Sequence, residues 1–357
     1  MMSSLYIDRK GVELKLSGEA LIFYENEERI GTIPLAPVER IYLKGDVKLQ
    51  ASLLAKLGEK NIGIVCLSGR KNTPTLFMSQ PHNDAARRVA QYALSQNEAF
   101  CLQFAKKIVL LKLLTQKNWL WQASNKRLDK KCLLVPKAEE LDGLIKKIHE
   151  QTNLPSLRGI EGRAASVYFT ALSLYLPSSL RFQGRNRRPP RDPFNAVLSL
   201  TYTLLHSEAV LATYGTGLDP YIGFFHALDF SRESLACDLI EPLRPFVDNW
   251  LLGCFRQNIL REEHFSTTQE GCYLGKTGRI NFYKEYEKII NNWRKMLTDA
   301  CYDLGHILKQ SYIDPSPQRR NGHETLPSVQ TEKNWQSLLE HYYFNQRTLL
   351  SEIPFNF

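Results

Sequence analysis

The sequence lacks the features that mark membrane-embedded and exported chains. No apolar run approaches the ~20 residues that a membrane-spanning helix needs. The best candidate, residues 106–114, is short and carries three lysines. The opening residues MMSSLYIDRK contain no apolar core of the kind found in signal peptides. We therefore expect a cytoplasmic protein that has no membrane partner.

Cysteine is present without any metal-binding pattern. The seven cysteines are scattered along the chain and show no CxxC spacing. An odd, dispersed set is typical of free thiols in a reducing compartment. The same spacing argues against a zinc finger or zinc ribbon.

Several common enzyme motifs are also absent. The chain has no Walker A sequence, no G-x-S-x-G elbow and no H-E-x-x-H helix. The glycine pair at residues 215–217 lacks the downstream Lys-Ser/Thr of a phosphate-binding loop. These absences remove several frequent hydrolase and nucleotide-binding classes.

What the sequence does have is positive charge and enough apolar residues for a large core. Lys and Arg number 46 against 37 Asp and Glu, giving a formal net charge of +9 and a pI of about 9.1. The apolar fraction of 43% argues against global disorder. The charge favours a polyanionic partner, nucleic acid before a membrane surface, although a merely basic protein is an alternative.

The first 80 residues show the pattern of half-buried strands. Val12, Leu14 and Leu16 alternate with charged neighbours, and this period of two is typical of a sheet with one buried face. Apolar segments separated by polar turns follow. The predicted elements are a hairpin over 21–24 and 30–33, a short helix over 51–57, and strands at 41–43 and 62–67.

The remainder of the chain shows helical spacing. A polar, proline-containing stretch at residues 71–83 indicates an interdomain linker. From Asp84 to about residue 312, apolar residues recur on one helix face. We expect an α+β protein with a small β-rich domain over 1–80 and a larger all-α catalytic domain over 81–312. Residues 313–357 form an extension to which the sequence assigns no role, although a helix is expected over 335–350.

One acidic segment stands out as a candidate metal site. His226 follows a turn that contains an Asp-Pro pair and two glycines. Asp238 and Glu241 are three residues apart and share a helix face, and Pro242 should stop that helix. Two carboxylates and an imidazole could bind Mg²⁺ or Mn²⁺. The alternative is a solvated acidic pair and a histidine that packs in the core.

Two further segments could serve the same chemistry. Glu161 and Arg163 open an apolar helical segment, where a carboxylate needs a cation or metal partner unless it lies at the surface. A proline-flanked basic loop suits phosphate contacts, because the guanidinium group matches phosphate oxygens. The alternative for this loop is solvated charge. Its arginines are Arg181, Arg185, Arg187, Arg188 and Arg191.

Together these segments resemble the CRISPR-associated spacer-acquisition endonuclease/integrase family, the universal integrase subunit of CRISPR adaptation. The resemblance extends over residues 1–305, and several motifs in order are more specific than any one of them. The matching segments are 161–165 (EGRAA), 192–199 (DPFNAVLS), 217–226 (GLDPYIGFFH), 234–245 (SLACDLIEPLRP) and 272–274 (CYL), followed by Arg279 and Tyr283.

The resemblance implies a site and a reaction. Glu161, His226 and Glu241 would hold Mg²⁺ or Mn²⁺, with Asp238 as a further acid; some members have Asp where this chain has Glu241. The reaction would join the 3′-hydroxyl of a short DNA to a phosphodiester of the CRISPR repeat. Arg163 and Arg244 would steady the phosphate. The implied partners are double-stranded DNA (protospacer and repeat), a second copy of the chain and a small companion subunit.

Two other functions use the same residues differently. A plain metal-dependent nuclease for branched or single-stranded DNA would use water as the nucleophile, whereas a non-catalytic DNA-binding scaffold would need no divalent ion.

The β-rich domain also allows two arrangements. A sheet this small leaves an apolar face or an edge that a symmetric dimer would cover, although the helical domain of the same chain could cover the face instead.

Overall fold

The computed structural model confirms the expected order of a β-rich domain followed by helices. The ranges that it describes are 4–69, 73–78, 82, 84–186, 189–226 and 232–312, together with Trp335 and Leu338. Part of the predicted linker is a strand, since Thr73 and Pro74 belong to β8 and pair with β7.

The β-rich domain consists of two sheets and one helix. One sheet has the strand order β4-β3-β2-β6 and the other has the order β1-β5-β7-β8. The elements are β1 (Ser4–Asp8), β2 (Val12–Ser17), β3 (Ala20–Glu25), β4 (Glu28–Pro34), β5 (Arg40–Lys44), β6 (Val47–Leu49), α1 (Ala51–Glu59), β7 (Gly63–Ser68) and β8 (Thr73–Phe77). All the elements predicted in this domain are present.

Local sequence explains the β-rich domain. The alternation in β2 places Val12 and Leu14 in a core between the sheets, to which α1 also contributes. The predicted hairpin is β3–β4, whose two turn residues, Asn26 and Glu27, have φ angles of 50° and 69°. Two consecutive positive φ values belong to a type I′ turn, whose twist matches that of the flanking strands.

The second part of the chain is mostly helical, and its helices share one continuous core. The elements are α2 (Ala85–Ser95), α3 (Glu98–Lys126), α4 (Lys131–Lys147), α5 (Leu154–Tyr175), α6 (Pro193–Gly215), α7 (Ser234–Ile240), α8 (Arg244–Arg256), β9 (Phe265–Thr268), β10 (Gly271–Leu274) and α9 (Lys276–Ser311). The expectation of an all-α domain therefore misses the β9–β10 hairpin. Its two strands, FSTT and GCYL, show no alternation of apolar and polar residues, so the pattern of a half-buried strand is absent.

The two parts meet at a buried charge cluster, which we call the Glu208 cluster. Glu208 of α6 accepts hydrogen bonds from Tyr42 and Arg40 of β5 and from Arg294 of α9. Tyr42 also belongs to the core of the helical part. Helices of the same chain thus cover this sheet, so its apolar face gives no argument for a dimer.

Of the extension after residue 312, the structure describes two positions. Trp335 and Leu338 are helical and buried, as the predicted final helix requires. The Trp335 ring lies 5.8 Å from Phe100 and 6.2 Å from Phe104, both on α3. The rest of the predicted helix over 335–350 lies outside the described residues.

Candidate active site

The loop that carries His226 is wrapped around the buried carboxylate of Asp238. This carboxylate accepts backbone N–H groups of Phe224 at 2.8 Å, Phe225 at 3.0 Å and His226 at 2.9 Å. It also lies 2.6 Å from Nδ1 of His226. Because an ionised carboxylate can only accept, Nδ1 carries the proton and Nε2 is the ring nitrogen directed away from Asp238. Asp238 is therefore placed to orient His226.

Other contacts fix the same loop. A Cβ atom on Gly223 would lie 2.8 Å from Oδ2 of Asp238, so only glycine allows the chain to pass this close. Gln91 of α2 donates to two loop carbonyls at 2.8 and 2.7 Å, and Arg158 of α5 donates to a third at 2.6 Å. The position of His226 is thus determined by three helices.

Glu241 lies where α7 ends. The predicted stop before Pro242 is confirmed, since a 3-10 turn (Glu241–Leu243) separates α7 from α8. The Glu241 side chain is 7% exposed, and its Oε1 accepts from Nε of Arg244 at 2.7 Å. His226 Nε2 lies 3.9 Å from the same oxygen. Although burial opposes ionisation, the charges of Arg244 and Lys112 hold the pKa of Glu241 well below its usual value.

Glu161 reaches the same point from α5 through a lysine. Nζ of Lys112, on α3, donates to Oε1 of Glu161 and to Oε2 of Glu241, the latter at 2.7 Å. The Lys112 side chain is 8% exposed, and although burial opposes its charge, Glu241 and Glu161 keep its pKa above the ordinary value. The structure therefore brings together Glu161, His226 and Glu241. We call them, with Lys112 and Arg244, the Glu241 cluster.

The sequence analysis missed Lys112, although a signal was present. Lys112 follows Ile108 by four residues and precedes Thr115 by three, which places it on the buried face of α3. A lysine at such a position needs an anionic partner. Within the described ranges, no three His, Cys, Asp or Glu side chains already form an ion site; in the Glu241 cluster the ammonium group lies between the two glutamates.

Arg244 is held on both sides. Besides its bond to Glu241, its guanidinium lies 4.5 Å from the centre of the Tyr202 ring. The Tyr202 hydroxyl donates to Oδ1 of Asp248 at 2.6 Å, and burial raises the pKa of Asp248 to about 6. These contacts fix the direction of Arg244 beside the carboxylates.

A cleft of about 880 Å³ borders this arrangement. His206 lies in its wall, with Nε2 3.3 Å from Oε2 of Glu233. Although burial opposes it, hydrogen bonds to Cys237 and Glu233 raise the pKa of His206 to about 9. The cleft therefore presents positive charge and aromatic surface beside Arg244, the partner of Glu241. Its lining includes Arg88, Arg185, Tyr202, His206, Tyr221, Glu233 and Arg244.

Known proteins have similar sequences and the same fold. The family described as CRISPR associated protein Cas1 matches residues 5–288. A protein of Thermodesulfovibrio yellowstonii named CRISPR-associated endonuclease Cas1 1 is 40% identical over 82% of this chain and 93% of its own length. This chain belongs to the Cas1 family.

Solved structures agree with this assignment. A Cas1 protein from Thermotoga maritima superposes with a TM-score of 0.75 at 26% identity, covering 88% of this chain and 99% of its own. A casposase bound to integration product also has a TM-score of 0.75, at 20% identity, covering 94% of this chain and 99% of its own. The second likeness concerns the fold alone.

The arginines predicted to bind DNA in this Cas1 protein fall into different environments. Arg163 pairs with Glu140 of α4 and is not brought to the site, since two helical residues after Glu161 the chain faces another direction. Arg185 is bound within the protein, donating to Asn195 at 2.8 Å. Arg181 and Arg191 are exposed, and Arg187 and Arg188 lie outside the described residues.

Among the described residues, no helix has the length and apolar character that crossing a bilayer would require.

Proposed function

We propose that this Cas1 protein is a divalent-metal-dependent DNA endonuclease and integrase that inserts short foreign DNA fragments into a CRISPR array. One observation carries the proposal: Glu161, His226 and Glu241, from separate chain segments, converge beside a fixed arginine at the edge of a basic cleft. The related protein of Thermodesulfovibrio yellowstonii bears the name endonuclease.

The donor set of this site fits a hard divalent ion. Glu161, His226 and Glu241 would hold it, since carboxylate oxygens and an imidazole nitrogen are ligands for Mg²⁺ and Mn²⁺. Glu241 is held in its ionised form by neighbouring cations. A bound Mg²⁺ or Mn²⁺ would polarise the phosphate and offset the charge that develops on it.

The residues of the chain have separate tasks in this proposal. Asp238 orients His226, and Tyr202 with Glu241 directs the Arg244 guanidinium toward a phosphate in the cleft. Joining forms a bond from the 3′ oxygen of the incoming DNA to a repeat phosphorus and breaks the existing bond to the neighbouring 3′ oxygen. Fixed groups lower the barrier because they need no reorganisation during this exchange.

The proposed partners follow from the same chemistry. Double-stranded DNA, as protospacer and as repeat, would contact the basic cleft and the exposed arginines, and the chain would act in the cytoplasm, where this DNA lies. We propose a homodimer that works with a small companion subunit, because two strand joinings at a fixed separation need paired sites. The exposed edge strand β4 offers one surface for pairing.

A half-site integration assay tests the proposal. Wild-type protein is incubated with a DNA carrying a free 3′-hydroxyl and a repeat duplex, with and without Mn²⁺, beside Glu241→Ala and the matched surface variant Glu27→Ala. We expect joined product from wild type and Glu27→Ala only with Mn²⁺, and a loss of about 10²-fold or more in Glu241→Ala.

The assay also separates the alternative functions. Cleaved but never joined DNA would identify a plain nuclease that uses water as the nucleophile. DNA binding without metal-dependent product would identify a non-catalytic scaffold and overturn the proposal.

A further inference from the structure

Lys112 occupies an unusual position for a lysine. It extends from the buried face of α3 and donates to Glu161 of α5 and to Glu241 beyond α7. Its side chain is 8% exposed, and that of Glu241 is 7% exposed. One ammonium group thus joins three separate chain segments at the centre of the Glu241 cluster.

The charges of this cluster explain why a cation is needed there. Glu161 and Glu241 are both close to Nζ of Lys112, so without it their carboxylates would repel each other in a poorly hydrated setting. With Lys112 and Arg244 as cations, the two glutamates are balanced. Adding a divalent ion to the same oxygens would bring two further positive charges next to the ammonium.

We propose that Lys112 is a built-in counter-ion that occupies the space between Glu161 and Glu241 and is displaced when a divalent ion binds. The inference rests on the metal site of the proposed function. Lys112 is in this role a positioning residue: it keeps the carboxylates together before the ion arrives and weakens the ion's binding by competing for them. The site is then assembled before the ion arrives, but half-loading it takes a higher metal concentration than it would without Lys112.

The test compares Lys112→Met with Lys117→Met in the full chain. Lys117 lies on the same helix and pairs with Asp142 of α4 at 2.9 Å, so its replacement removes one lysine and one ion pair outside the site. Mn²⁺ binding is followed by calorimetry and by the melting temperature with and without Mn²⁺. These readouts do not depend on catalytic activity.

We expect Lys112→Met to bind Mn²⁺ about tenfold more tightly than wild type, because a competing charge has been removed. Its metal-free melting temperature should fall below that of Lys117→Met, and added Mn²⁺ should restore more of it. Equal or weaker Mn²⁺ binding by Lys112→Met overturns the counter-ion role alone. Failure of both wild type and Lys112→Met to bind Mn²⁺ overturns the proposed metal site together with this inference.

A crystal structure of wild-type protein with Mn²⁺ tests the inference even if Lys112→Met does not fold. The proposal requires Nζ of Lys112 to lie beyond hydrogen-bonding distance of Glu161, Glu241 or both. If the ion is bound by these glutamates while both Lys112 hydrogen bonds persist, the proposal is wrong.

Discussion

The Glu208 cluster and the Glu241 cluster both bury a glutamate among cations, yet they are built differently. Glu208 is one carboxylate bound by two arginines and a tyrosine hydroxyl, and although burial opposes ionisation, Arg294 and Arg40 lower its pKa to about 2. The Glu241 cluster has two carboxylates, an imidazole, a lysine and an arginine. Both cations of the Glu208 cluster are planar guanidinium groups, whereas the Glu241 cluster also has a flexible ammonium group between its two carboxylates.

Exposure separates the two clusters further. The Glu208 side chain is fully buried, whereas Glu161 is 24% and His226 26% exposed. A buried ion pair is weak evidence of function, because such pairs also fix the packing of domains. What distinguishes the Glu241 cluster is an excess of partly exposed donors that could bind a metal, beside an arginine, Arg244, that lines the cleft.

The largest expected effect concerns stability. Glu208→Ala should lower the free energy of unfolding by about 3 kcal/mol, because it leaves the buried Arg294 and the partly buried Arg40 without this carboxylate. Glu161→Ala should cost about 1 kcal/mol or less, since Glu161 is partly exposed and Lys112 keeps its bond to Glu241. Urea denaturation of both variants measures the difference. Equal losses would remove the distinction between a structural and a functional cluster.

The sequence predicted the two clusters unequally. The elements of the β-rich domain could be placed because alternation and turn residues act locally, as in the Asn26–Glu27 turn. The Glu208 cluster was not predicted, because Arg40 and Glu208 are 168 positions apart and each side chain alone looks like surface charge. Long-range pairing of this kind leaves no periodic pattern in the sequence.

The candidate site was predicted in part. The segments holding Glu161, His226 and Glu241 were singled out by their residue types, but only the family resemblance implied that the three side chains form one site. Lys112 could have been found from its position on an apolar helix face. The separation of Arg163 from Glu161 also follows from helical geometry, because residues two apart face different directions. The DNA-binding roles of the arginines remain predictions.

An intermediate effect concerns charges that lie outside both clusters. Arg181→Gln with Arg191→Gln removes two exposed arginines of the basic loop. If both contact phosphates, the slope of log affinity against log salt should become shallower by about two. The control, Arg9→Gln with Lys10→Gln, removes the same charge from the exposed surface of the β-rich domain away from β4. DNA binding at several salt concentrations measures both, and identical slopes would show that the loop is only solvated charge.

The smallest expected effect is a pH dependence at the edge of the Glu241 cluster. His206 has a folded-state pKa of about 9 against 6.5 for the free side chain, so its pairing stabilises the fold fully below pH 6.5 and ceases to do so as pH rises through 9. Since His206 and Glu233 are partly exposed, the loss should be about 1 kcal/mol. Unfolding free energies of wild type and His206→Gln at pH 6 and pH 10 isolate this contribution. The unfolding free energies of the two proteins should differ most at pH 6 and converge at pH 10. A difference that grows with pH would mean that His206 is held neutral and that the cleft lacks this positive charge.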